Sequence, residues 1–157
     1  MYKRILVPVD GSPTSTRGLD EAIRLATLTG ASIRLVHVLD QMVFMTGLET
    51  YTLDVMGILK EAGERIMQDM KARVVAGGVD VTTFVSDPLP GRVCDVVVAQ
   101  AREFDADLIV VGTHGRRGVG RMLIGSDAEQ IVRMATVPVL LIRAPQPTGA
   151  AGGPARE

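Results

Sequence analysis

Tryptophan is absent from this chain, and aromatic residues fill only 3% of its 157 positions. Its core must therefore be aliphatic, and an aromatic platform for stacking single-stranded nucleic acid is excluded. Cysteine occurs once, at Cys94, so the chain holds neither an internal disulfide framework nor a cysteine-rich metal site. A lone thiol suits a reducing compartment. Net charge is also small, at −1, which leaves no global basic field to attract DNA or an anionic membrane. The first apolar run, Ile5–Val9, stops at Asp10. That is too short for a signal-peptide core and far too short to span a bilayer. From these deficits we expect a cytoplasmic protein with neither a nucleic-acid nor a membrane partner.

What is present is aliphatic and patterned. Hydrophobic residues make up 46% of the chain, the share of an ordinary globular domain. Ile5–Val9 is apolar throughout, as a strand buried on both faces must be. Asp10-Gly11-Ser12-Pro13 breaks it, with Ser12 suited to cap a helix and Pro13 to its first position. Leu19, Ala22, Ile23 and Ala26 recur at helical spacing from Pro13 to Thr29, and Gly30 ends the run. Ser32–Leu39 reads as a second strand. Residues 40–52 read as a loop whose Met42, Val43, Phe44 and Met45 suit either a lid or a dimer contact. Leu53–Ala76 reads as a long helix with Met56, Leu59, Gly63, Ile66, Met70 and Val74 on one stripe, stopped by Gly77-Gly78.

The alternation continues with a strand at Val79–Ser86, a helix at Pro88–Arg102 and an apolar strand at Asp107–Gly112. A helix at Ser126–Ala135 and a strand at Pro138–Arg143 complete it. Strands alternating with helices make a parallel sheet covered on both faces. Right-handed crossovers make it doubly wound, and ligands then bind beyond the strand carboxyl ends, where strand order reverses. If the first and fourth strands flank that point, Asp10 and Gly112 share one crevice. We expect a single domain over residues 1–143. Residues 144–157, rich in Pro, Gly and Ala, are expected to form a flexible tail.

The stretch G-T-H-G-R-R-G-V-G-R-M-L-I-G-S, Gly112 to Ser126, concentrates the chemistry. Gly112 ends a buried strand, Gly115 follows after two residues, and Gly125-Ser126 after nine more. Glycine lets backbone approach a ligand closely. Ser126 opens a helix whose first amides lack partners, and those amides with the helix dipole make an anion site. Arg116, Arg117 and Arg121 add positive charge. Gly115–Met122 nearly fits G-x-x-x-x-G-K-[ST], but Arg121 stands where Lys is needed and Met122 where the metal-binding hydroxyl is needed. Gly118-Val119-Gly120 begins a dinucleotide fingerprint that Leu123 breaks. His114 has no second His or carboxylate at metal-ligand spacing. His37, within a strand, reads as a core or crevice residue, and Cys94 as packing beside Val97. Ile124–Ala128 does not form the G-x-S-x-G elbow that would make Ser126 a nucleophile.

The arrangement G-x2-G-x9-G-[ST] is complete at Gly112, Gly115, Gly125 and Ser126. With I-L-V-P-V-D-G-S near the start and P-V-L-L-I-R near the end, it resembles the universal stress protein family in its ATP-binding branch, over residues 2 to 143. The resemblance implies an α/β three-layer sandwich: a five-stranded parallel, doubly wound sheet in order 3-2-1-4-5 with four helices. It implies that Asp10 sits at the nucleotide, contacting ribose, adenine or a water-bound metal, and that Val38 offers backbone groups to adenine. Gly112 and Gly115 would line ribose and phosphate, and Gly125 and Ser126 would hold phosphate oxygens. The full set expected at the nucleotide is Pro8, Val9, Asp10, Val38, Val111, Gly112, His114, Gly115, Arg116, Gly125, Ser126, Asp127 and Ala128.

The implied cofactor is ATP or a related adenine nucleotide. No protein group is expected to ligate metal directly; Mg or Mn would ride on the phosphates. The resemblance also implies a homodimer through Val139, Leu140, Leu141 and Ile142. Asp127 departs from the small apolar residue frequent there in ATP-binding relatives; an acid suits the helix dipole but repels a close phosphate. The expected function is a regulatory nucleotide-binding module in stress response rather than a dedicated catalyst. A slow ATP hydrolase and a dimeric scaffold without nucleotide are the alternatives.

Overall fold

The computed structural model describes residues 1–39, 53–87, 91–113 and 124–143, with the backbone alone for 53–56. Among them five strands alternate with four helices: β1 (Arg4–Pro8), α1 (Pro13–Thr29), β2 (Ser32–His37), α2 (Leu53–Ala76), β3 (Val81–Val85), α3 (Val93–Glu103), β4 (Leu108–Gly112), α4 (Ser126–Met134) and β5 (Val139–Ile142). The strands form one parallel sheet in the order β3-β2-β1-β4-β5. This is the doubly wound α/β sandwich expected from the alternation of elements. The chain moves outward from β1 to β3, then returns to lay β4 on the other edge of β1, so strand order reverses between β1 and β4.

Side-chain alternation explains the layers, because neighbouring residues of a strand point to opposite faces. Ile5 and Val7 of β1 join Leu19, Ala22 and Ala26 of α1 and Met67, Met70 and Val74 of α2 in one aliphatic core. Leu6, between them, joins Cys94, Val97 and Ala101 of α3 and Ala128 and Ile131 of α4 in a second core. Each large aliphatic group so buried contributes about 1.5–3 kcal/mol. The core strands are therefore apolar throughout, while the edges are not sealed: β5 is half-buried at all four positions.

Local chemistry sets the boundaries. The Ser12 hydroxyl accepts the Ser15 amide at 3.1 Å, and Pro13 opens α1. The expected stripe on α2 shifts slightly: Met67 is buried, whereas Ile66 lies on its flank. Gly63, Met67, Met70 and Val74 are spaced four, three and four residues apart, the rhythm of one helical face. The side chain of Met56 lies outside the described residues.

Several expected ends move inward by a residue or two. Val79 belongs to the cap of α2 rather than to β3, because its amide donates to Val74 O at 3.3 Å while that of Gly78 donates to Val75 O at 2.9 Å, the Schellman pattern. The helix expected from Pro88 begins at Val93. Arg92 is extended, with φ −81° and ψ 144°, and Gly91 before it is a poor helix former. Residues 88–90, the loop holding Met42–Met45, and the tail 144–157 lie outside the described residues.

Asp107 ties the amino edge of the sheet together. Its carboxylate accepts the backbone amides of Lys3 at 2.7 Å and Arg4 at 3.0 Å, and its own amide donates to Arg4 O at 2.9 Å. β1 thus enters the sheet locked to β4, across about a hundred residues of sequence. Asp107→Ala is expected to lower stability by about 1–2 kcal/mol, less than a buried charged hydrogen-bond pair, since water can reach the exposed amides. A urea midpoint unchanged from wild type would show that the carboxylate carries no such load.

Candidate functional site

Reversal of strand order leaves a crevice at the carboxyl ends of β1 and β4, since the connections from these strands leave in opposite directions. Three segments and one helix end meet there. The first is Pro8-Val9-Asp10, where β1 runs into α1. The Asp10 carboxylate accepts the Ser12 amide at 2.9 Å, and its own amide donates to Ser15 Oγ at 3.4 Å. Asp10 is thus held half-buried by its own turn, and Ser12, not Asp10, is the helix cap. Val9 points into the α1–α2 core, so only its backbone faces the crevice.

The second segment is the end of β2. The Val9 amide donates to Val36 O at 2.8 Å, and Val38 follows the last rung, half-buried against the α3–α4 core. The third is Val111-Gly112-Thr113, at the end of β4. Val111 points into the α3–α4 core. Gly112 lies against the first turn of α1: a Cβ there would stand 3.0 Å from the backbone carbon and oxygen of Thr14. This supplies a packing reason for Gly112 that the loop pattern does not contain. Glycine at 112 lets α1 approach β4 closely enough to bring Asp10 and the end of β4 to one place.

Thr113 is the residue that sequence reasoning missed. It is 1% exposed. Its amide donates to Ile142 O at 2.9 Å and its carbonyl accepts the Gly125 amide at 2.6 Å. The chain therefore leaves at Thr113 and returns at Gly125 beside it, with β5 fastened to the same point. Residue type carries no signal for it, because its place is made by backbone bonds to Ile142 and Gly125. His114, Gly115, Arg116, Arg117 and Arg121 lie outside the described residues.

Gly125 is the N-cap of α4, extended at φ −57° and ψ 148°, and offers no side-chain cap. The first helical bond runs from Glu129 N to Gly125 O at 2.9 Å. The amides of the first turn, which start at Ser126, therefore stand at the positive end of the helix dipole. Ser126 is exposed, Asp127 half-buried and Ala128 buried, so Ala128 supplies floor rather than a contacting side chain. Asp127 and Glu129 both lie in this turn.

Cys94 lies in the α3–α4 core below, with its Sγ 3.3 Å from Gln130 Oε1. Burial pushes its thiol pKa up, and the Asp95 carboxylate adds to the rise. Asp95 is held below the usual carboxylate range by the Arg92 guanidinium, which meets it through two bonds of 3.0 Å. Packing, as expected, is the role this geometry supports for Cys94. Among the described residues no group of three His, Cys, Asp or Glu side chains is placed to hold a metal ion. No helix among them is long and apolar enough to cross a membrane.

The profile of the Universal stress protein family matches residues 1–143. The chain belongs to the universal stress protein family. Universal stress protein MJ0531 of Methanocaldococcus jannaschii is 31% identical over 147 residues, covering 93% of this chain and 85% of its own. A crystal structure of a family member from Burkholderia pseudomallei is 33% identical, with a TM-score of 0.73, covering 91% of this chain and 97% of its own. A universal stress protein crystallised in complex with cAMP is 26% identical, with a TM-score of 0.63, covering 90% and 97%. In this universal stress protein the two outer glycines of the loop pattern have different local settings. Gly112 is wedged against α1, whereas Gly125 takes part in the crosslink that brings α4 back to the crevice.

Gly112→Ala is expected to lower stability by about 1–3 kcal/mol, because a backbone neighbour cannot step aside as a side chain can. Chemical denaturation of the nucleotide-free protein measures this. Wild-type stability in that variant would remove the packing account and leave Gly112 to ligand contact alone.

Proposed function

We propose that the crevice binds an adenine nucleotide, ATP foremost, and that the chain is a regulatory binding module in stress response rather than a dedicated catalyst. The observation that carries this reading is the Thr113–Gly125 crosslink of 2.6 Å. It returns the chain to the carboxyl end of β4, so that the N-terminal amides of α4 serve the switch point that Asp10 also borders. An anion at the N-terminus of α4 gains from the helix dipole. The relative crystallised with cAMP supports the adenine component.

In this reading Asp10 contacts ribose, adenine or a water-bound metal, with Pro8 and Val9 beside it, and Val38 offers its backbone to adenine. Gly112 lines ribose and phosphate and Gly125 and Ser126 hold phosphate oxygens, with Val111, Asp127 and Ala128 beside them. His114, Gly115 and Arg116, which lie outside the described residues, belong to the proposed contact set by the loop pattern alone. Mg or Mn arrives on the phosphates rather than on a protein ligand set. Asp127 makes the site looser than its glycines alone would, by repelling a phosphate that comes close. The half-buried apolar edge of β5, Val139 to Ile142, supports a homodimer formed through that strand. A cytoplasmic setting accords with the single, buried thiol.

Equilibrium dialysis against ATP and cAMP tests the reading. We expect saturable binding of at least one of them, with one site per chain. Ser126→Ala is expected to weaken it about tenfold, the loss of a hydrogen bond to a charged oxygen. Asp127→Ala is expected to tighten ATP binding. Retention of neither nucleotide by folded wild-type protein at millimolar ligand would reject the proposal.

A further inference from the structure

Behind the crevice, on the α2 side of the sheet, lies a side chain that the proposed nucleotide contacts do not use. His37 ends β2 and is 4% exposed. Its Nδ1 lies 2.7 Å from Val9 O. A carbonyl can only accept, so Nδ1 carries the proton. In a parallel pair, backbone amides meet the neighbouring strand at every second residue. The Val9 amide makes such a bond to Val36 O at 2.8 Å. Beyond that rung the Val9 carbonyl takes the imidazole, so a side chain continues the tie between the strands where the ladder ends.

The ring is fixed from behind as well. A Cβ on Gly63 of α2 would stand 2.9 Å from His37 Cδ2, 3.1 Å from Nε2 and 2.7 Å from Leu39 Cδ2. Gly63 is therefore the residue that admits the imidazole and Leu39 between α2 and the sheet. The backbone around the ring is tied to the other neighbour: the Ser86 amide donates to His37 O at 2.9 Å, and the Leu39 amide to Ser86 Oγ at 3.0 Å. Val38 is thus bracketed by two residues held on the β3 side. Asp10 follows directly on the carbonyl that the ring holds.

We infer that His37 is a positioning residue of the nucleotide site: wedged between α2 and the Val9 carbonyl, it sets where Asp10 and Val38 stand. It touches no ligand in this scheme. The inference rests on the reading of the crevice given above. A buried histidine that only fills space would affect stability alone. A positioning histidine also affects affinity, and the Nδ1–H bond to Val9 O is one that a different side chain can restore.

The test uses the full chain with His37→Leu, which keeps apolar bulk and loses the donor, and His37→Asn, whose Nδ2–H can stand where Nδ1–H stood. ATP and cAMP affinity is measured by dialysis, and amide hydrogen exchange is measured without nucleotide. We expect His37→Leu to weaken nucleotide binding about fivefold or more, and His37→Asn to recover it to within about twofold. We also expect exchange at Val9 and Ser12 to quicken about tenfold in His37→Leu relative to Ile33 and Ala106 in the same molecule, and to slow again in His37→Asn. Equal affinity in all three proteins, or equal loss in both variants with exchange changing uniformly, overturns the inference. If wild-type protein binds neither nucleotide, the proposed function fails. The exchange measurement then still decides His37: local quickening reversed by Asn sustains its positioning of the strand ends, and uniform change refutes it.

Discussion

Parallel pairing of β1 with β2 on one edge and β4 on the other holds this structure in register. Ile5 and Val7 face one pair of helices and Leu6 faces the other. A strand filled on both faces and bonded on both edges cannot slip by one residue, since a slip would turn its aliphatic set onto the wrong layer. Asp107 fixes the start of that strand and the His37 imidazole ties down its end. The crevice inherits this fixity, because Asp10 is only two residues past β1.

Close approach between layers is achieved by leaving atoms out. Gly112 lets α1 settle on the end of β4, and Gly63 lets α2 settle on His37 and Leu39. Both glycines act on the same end of the sheet. Dense packing there leaves little freedom to β1, β2 and β4, and a ligand site gains when the groups that hold it need not be ordered on binding. The N-terminus of α4 belongs to the same assembly through Thr113, which bonds to β5 by its amide and to Gly125 by its carbonyl.

Much of this was legible in the chain. Continuous apolar runs at Ile5–Val9 and Asp107–Gly112 mark strands with two buried faces, and Ser12-Pro13 marks the start of α1. The loop pattern at Gly112, Gly115, Gly125 and Ser126 and the runs at either end marked the family. Less legible were the ends of elements. Val79 looks like strand but serves as the cap of α2, and Arg92 looks helical but is extended. Such ends are settled by one or two backbone hydrogen bonds, which leave almost no imprint on residue type. Gly112 was readable as part of a loop pattern but not as the contact surface of α1. Thr113 and His37 were hidden for a related reason. Their roles are made by partners far off in sequence, at Ile142 and Val9.

By itself, the sequence determined the class of fold, its aliphatic core and its family resemblance. Periodicity, punctuation and spacing are local, and they survive being read one residue at a time. Only the tertiary structure decided that Gly112 bears on Thr14, that Thr113 closes onto Gly125, and that His37 caps the carbonyl before Asp10. These are contacts between segments whose meeting depends on the order of strands in the sheet. No short-range pattern encodes which carbonyl an imidazole will meet once the layers have packed.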